Sequence, residues 1–214
     1  MPKQPGLPLA EAIQFGWRTV RDFPLFLVGT FLVSFGVPCL ISWGGDVALD
    51  DGAPQFAMWV INLVVSATLT LGLAKIYLRF RDGHRPIFEN LFDGLGQVHK
   101  YLAAHIIASV AVGMGILLLV IPGIVILIRL WFTGFIIVET KAGPVDAIQQ
   151  SWDISRGYTI DLFLLFLLLC GLNLLGLICL GVGVLITMPI SGLALAYVYR
   201  TLKPAPTVSE NIPT

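Results

Sequence analysis

The sequence predicts an all-α integral membrane protein with six transmembrane helices in three hairpins, each hairpin preceded by a cytoplasmic amphipathic surface helix. Three observations carry this reading. Of the 214 residues, 57% are hydrophobic and only 12% are charged, about half the charged share of a soluble domain. The mean hydropathy is +0.88, and several apolar runs approach the ~20 residues that a helix needs to cross a bilayer. The basic residues fall between those runs so that an even number of spans keeps them on one side.

The elements follow in order. Residues 1–7 are expected to form a disordered tip. Residues 8–22 have a helical, amphipathic pattern, with Leu9, Ile13, Trp17 and Val20 on one face and Glu11, Gln14, Arg18 and Arg21 mostly on the other. This segment is too short and too charged to span, so it is expected on the membrane surface with Trp17 at headgroup depth. No cleavable leader is expected, because the first strongly apolar run starts only at Phe23 and has a spanning length. The first span covers residues 24–43. An acidic loop at 44–55 follows, carrying Asp46, Asp50 and Asp51.

The second span covers residues 56–80, with Lys75 near its end. Its small side chains at Ser66, Thr68, Thr70, Gly72 and Ala74 suit close helix contact. Residues 81–100 read as a second surface helix started by Arg85-Pro86, with Ile87, Leu91, Leu95 and Val98 sharing a face. The third span, 101–121, is ended by a break at Pro122-Gly123, and a short fourth span covers 124–138. The third surface helix, 143–157, presents Val145, Ile148 and Trp152, and Gly157 stops it. Residues 161–200 are too long for one helix and divide into spans at 162–180 and 184–199. Residues 1–203 thus form one six-span domain, with a flexible tail at 204–214.

In this arrangement Lys3, Arg18, Arg21, Arg79, Arg81, Arg85, Lys100, Lys141, Arg156, Arg200 and Lys203 share one side, eleven of the thirteen basic residues. The bias of Lys and Arg toward the cytoplasm then places both termini there, in a multi-pass protein of the cell inner membrane. A repeat underlies the pattern. Segment 11–21, EAIQFGWRTVR, aligns without gaps to segment 146–156, DAIQQSWDISR, matching Ala12, Ile13, Gln14, Trp17 and Arg21 to Ala147, Ile148, Gln149, Trp152 and Arg156. Three units follow, at about 8–80, 86–140 and 144–200, as a pseudo-threefold repeat about an axis along the membrane normal.

Arg129 is the sharpest functional candidate, since a charge inside a span is costly and usually faces protein or water. Seven residues beyond Pro122, it has two readings. It snorkels toward the outer headgroups as a lipid-phosphate or substrate anchor, or it is a structural charge paired with Asp46, Asp50 or Asp51, or with carbonyls freed at Pro122-Gly123. Lys75 is expected to snorkel toward the cytoplasmic end. Glu139 and Asp161 are expected to cap helices or to pair with Arg156 or Lys141. Asn62 and Asn173 suit interhelical hydrogen bonds.

Zero net charge argues against a nucleic-acid partner. Cys39, Cys170 and Cys179 read as buried hydrophobes, and His84, His99 and His105 lack the spacing of a metal site, so neither a metal nor a cofactor is expected. None of the usual hydrolase, metalloprotease or nucleotide-binding motifs is present, so the chain is not expected to be an enzyme.

Pro122, Gly123, Ile124, Arg129, Glu139, Ala147, Ser151 and Gly157, with Phe88, Leu91, Phe92 and Tyr197, form a loose pattern. It resembles a group of bacterial six-span proteins that includes the YciC-like inner-membrane proteins and the membrane domain of some glycerophosphoryl diester phosphodiesterases. The resemblance implies a six-span fold more than a function, and the chain has no room for a phosphodiesterase domain. The function expected is a non-enzymatic accessory or scaffold subunit, packing against other membrane proteins or a second copy. The alternative is a transporter or binder of membrane lipids or hydrophobic molecules that uses Arg129 near the outer leaflet. Contacts to lipid or partner are then expected at Arg129, Pro122, Gly123, Trp17 and Trp152.

Overall fold

A computed structural model of the chain describes residues 6–48, 53–178 and 181–203. Lys3, Asp50, Asp51, Cys179 and the tail at 204–214 lie outside the described residues, as does the side chain of Asp46. Among the described residues the chain is all-helical: α1 (Leu9–Asp22), α2 (Pro24–Ala48), α3 (Ala53–Arg81), two 3-10 turns (Phe88–Leu91 and Leu95–Gln97), α4 (Val98–Leu118), α5 (Val120–Arg129), α6 (Thr133–Thr140), α7 (Pro144–Ile154), α8 (Thr159–Ile178) and α9 (Val184–Leu202). Six stretches are long and apolar enough to cross a membrane, the fourth being α5 and α6 together. This is the architecture of a polytopic membrane protein.

The spans are not equivalent. In the most apolar part of α3, of α5–α6 and of α9, 33%, 44% and 50% of residues are buried, against 17%, 11% and 22% in α2, α4 and α8. The second member of each consecutive pair is therefore central and the first is peripheral. Small residues explain the difference. The Tyr77 ring lies directly on Gly192, leaving no room for a Cβ there, and Ala194 and Ala196 are fully buried. Such residues let backbones approach where no water-driven force pulls helices together. Phe132 and Phe135 of the fourth span meet Tyr199 of α9 with ring centroids 5.9 and 5.5 Å apart. Two of the tight connections are glycine contacts, Gly115 against Gly123 between α4 and α5, and Gly176 against Gly183 between α8 and α9.

The segments outside the spans dock on the central helices. Helix α1 packs along α9, the first 3-10 turn packs on α3, and α7 packs on α6. Their buried faces differ from the faces predicted. In α1 the buried residues are Ala12, Gly16, Thr19 and Val20, while Trp17 is 57% exposed. In α7 they are Ala147 and Ser151, followed by Ser155, while Val145 and Trp152 are exposed. The stripe spaced by four carries small side chains, so the helix sits close to its neighbour and the large apolar groups are pushed to the flank. An added Cβ on Gly16 would lie 2.8 Å from the Ile190 carbonyl oxygen. At the aligned position in α7, Ser151 Oγ donates to the Arg129 carbonyl at 2.7 Å.

Three further expectations are corrected. The predicted middle surface helix is two 3-10 turns instead. Gly94 is pressed against Leu71 and the Thr68 carbonyl, and Asn90 replaces helix bonds by accepting from Ile87 N–H and Arg79 Nη1, each at 3.0 Å. The break after α4 is not at Pro122-Gly123 but at Leu119, which is extended at φ −166° and ψ 140°. Pro122 lies in the first turn of α5, where its missing N–H costs nothing. The fourth span is not one helix, since the turn at Leu130–Phe132 splits it into α5 and α6.

Candidate functional site

Between the spans lies an open cavity of about 1090 Å³, to which α2, α3, α4, the fourth span, α8 and α9 all contribute. Phe31, Phe35, Trp131 and Phe166 give it aromatic walls. Among the described residues its lining includes no Lys, Arg, Asp or Glu. The neutral polar groups are unevenly spread. Tyr77 and Tyr101 lie near the end where α3 finishes and α4 begins, with His105 one turn deeper, its ring stacked 5.8 Å from Tyr101. Asn173 and Ser191 pair across α8 and α9 at 2.9 Å midway. Toward the far end stand Leu174, Leu177, Val184 and Met188.

At the first of these ends, here termed the basic end, a charged cluster joins the three central spans. Arg200 grips Asp82 with Nε and Nη2 at 2.9 and 2.7 Å, and its Nη1 pairs with Glu139. The Tyr199 hydroxyl donates to the same Glu139, and Lys203 approaches it at 3.6 Å. Arg81 sits over the Tyr197 ring, 4.4 Å from its centroid. Glu139 is thus held by Arg200 rather than by Arg156 or Lys141. Asp161 instead accepts the Leu7 N–H at 3.1 Å, and Lys75 pairs with Asp93 at 2.7 Å.

Arg129 is not part of the cavity wall. Its guanidinium lies 4.5 Å from the centre of the Trp152 ring, and its Nη2 donates to Thr159 Oγ1 at 3.0 Å. Trp152 belongs to α7 and Thr159 is the first residue of α8, so the side chain is held at the connection between the fourth and fifth spans rather than at the Leu119 break. Of the other sequence-predicted contact residues, the structure brings Trp152 to Arg129. Trp17 stands apart, lining a small pocket of about 240 Å³ with Ile13, Leu172 and Ile190. Pro122 and Gly123 lie in the first turn of α5, Gly123 packed against Gly115 of α4. Cys170 lines the cavity and Cys39 is exposed, so neither is the buried hydrophobe expected. Among the described residues no group of three His, Cys, Asp or Glu is placed to hold a metal.

Sequence reasoning missed Tyr77 and Tyr101, because a tyrosine at a span end reads as an interfacial anchor. One signal was present: Tyr101, His105 and Ser109 recur every four residues in α4, a polar stripe on an otherwise apolar helix.

Residues 90–211, more than half of the chain, match a family described as Domain of unknown function (DUF7847), and the chain belongs to that family. No curated protein and no solved structure gives a match. The likeness to the YciC-like group rests on the residues quoted above; the family match does not extend to it.

Proposed function

We propose that this is a non-enzymatic membrane protein that binds a lipid or another long-chain hydrophobic molecule between its spans. The cavity carries the proposal. At about 1090 Å³ it exceeds the ~300–1,000 Å³ of ordinary small-molecule sites, and charged residues are missing from its described lining. Left empty, such a volume would forfeit the dispersion contacts of its whole lining. An open apolar cavity inside a bilayer is therefore filled, and the surrounding molecules able to fill it are lipids.

The same reading sets the basic end toward the cytoplasm of a bacterial inner membrane, with both termini there. It also takes the chain as three units of docking segment, peripheral span and central span. The burial of Ala12, Gly16 and Val20 in α1, matching that of Ala147, Ser151 and Ser155 at the aligned positions, supports the repeat.

The test is native mass spectrometry of the protein released from nanodiscs. Retained lipid is expected near one per chain, and Ala108→Trp, which fills the cavity wall, should remove it while leaving the melting temperature within a few degrees. Retention unchanged by a folded Ala108→Trp variant would overturn the proposal.

A second reading, an accessory subunit, is favoured by α4. Its outward stripe of Ile106, Val110, Met114 and Leu117 is exposed, and it is the least buried span. Crosslinking from Val110→Cys in native membranes tests it: a discrete adduct with another membrane protein supports a subunit role, and lipid-only adducts refute it.

A further inference from the structure

We propose, building on the lipid-binding reading, that the cavity selects a neutral lipid whose head carries a hydroxyl or carbonyl. Tyr77, Tyr101 and His105 hold that head at the basic end, and the chain runs toward Leu174, Leu177 and Val184.

The first support is what the lining lacks. A charged head moved into an apolar space without a counter-charge is strongly disfavoured. The charges of the basic end stand outside the lining: Lys75 pairs with Asp93, Arg200 with Asp82 and Glu139, while Lys100 donates to the Lys141 carbonyl and Arg79 to Asn90. A phosphate or carboxylate inside the cavity would therefore meet no counter-charge on its described lining.

The second support is what the polar groups are doing. Most hydroxyls on the wall are satisfied by their own helix: Ser109 donates to the His105 carbonyl at 2.7 Å, Thr133 to Leu130 at 2.8 Å and Ser191 to Thr187 at 2.8 Å. No hydrogen bond of the Tyr77 or Tyr101 hydroxyl or of the His105 ring is found among the described residues, and all three line the cavity, Tyr77 from the buried core and His105 from its exposed side. Unpaired donors facing an apolar space are costly and are normally met by a partner. A hydroxyl or ester carbonyl supplies one. The third support is polarity along the cavity, with the free donors gathered at one end and the aliphatic side chains at the other. That distribution matches a molecule with one polar end.

The experiment uses delipidated full-length protein in detergent and a pyrene-labelled long-chain alcohol as the probe. Four challengers of equal chain length compete with it at pH 8: an alcohol, a methyl ester, a fatty acid and an alkane. The alcohol and ester should displace the probe at least about 10-fold better than the fatty acid or the alkane. Tyr77→Phe, Tyr101→Phe and His105→Leu should each weaken the alcohol by about 3- to 10-fold, as one lost hydrogen bond requires, and leave the alkane unchanged.

Equal displacement by all four would overturn head selection while leaving the lipid-binding reading intact. Tightest binding of the fatty acid would overturn it in favour of a charged head. Failure of the probe and of every challenger to bind would remove both readings.

Discussion

Arg200, near the end of α9, and Glu139, near the end of α6, form an ion pair between the two most buried spanning segments. Asp82, just past α3, takes the other edge of the same guanidinium. The side chains are 10%, 15% and 27% exposed, so the pair is shielded, and its loss leaves Asp82 without its partner and Glu139 with only the more distant Lys203 at 3.6 Å. Arg200→Met is expected to destabilise the protein by about 3 kcal/mol, the scale for breaking a buried pair by removing one partner. Arg200→Lys should recover only part, since an ammonium cannot grip Asp82 in the bidentate manner. Unfolding in mixed micelles measures both; a Met variant as stable as the parent would show that the cluster does not hold the spans together.

Gly16 sits under the Ile190 carbonyl, where an added Cβ would lie 2.8 Å from the oxygen. Gly16→Val should push α1 off α9 and expose the first turns of the chain to protease, at a stability cost of about 1–3 kcal/mol typical of overpacking. Gly36, whose Cβ would meet nothing within 4 Å, is the control: Gly36→Val should leave digestion unchanged. Equal protection of the two variants would mean that α1 is not clamped at Gly16.

Much of this architecture was legible in the sequence, and the parts that were not share a cause. The spans announce themselves as apolar runs, and the hydrogen bonds expected of Asn62 and Asn173 are made, to Ser42 at 2.7 Å and Ser191 at 2.9 Å. The break was misplaced because proline both ends one helix and starts the next, and Pro122 does the second. The docked faces of α1 and α7 were misread because hydrophobicity identifies Trp17 and Trp152, whereas close approach selects Gly16 and Ser151. The cavity was invisible for a different reason. It is defined by which helices meet, and contacts such as Tyr77 with Gly192 join residues too far apart in sequence for any local pattern to register them.

Asn173 donates to Ser191 across α8 and α9 and also to the Leu169 carbonyl at 2.8 Å. Its Oδ1 is buried and has no partner among the described residues, which reduces the net value of the amide. Asn173→Leu is therefore expected to cost no more than the ~0.6 kcal/mol average for interhelical hydrogen bonds in a membrane. Asn173→Asp should cost several times more, because it removes the donor to Ser191 and adds a carboxylate without a counter-charge. Chemical unfolding of the two variants checks the order, and a leucine variant less stable than the aspartate would reverse the account.

Arg129 separates a structural charge from a lipid anchor. Its guanidinium lies against Trp152 and bonds Thr159, while its carbonyl takes the Ser151 hydroxyl, so side chain and backbone together fix the turn between α5 and α6 against α7. Arg129→Ala should destabilise by about 2 kcal/mol, combining a partly desolvated cation–π contact and a charged hydrogen bond. Arg129→Lys should rescue little, because an ammonium cannot lie flat on the indole and reach Thr159 at once. Since Arg129 is not part of the cavity lining, retained lipid per folded chain should stay at the parent level in both variants. Native mass spectrometry beside a melting curve distinguishes the roles: lost stability with lipid retained marks a structural charge, and lost lipid at full stability would make Arg129 the anchor instead.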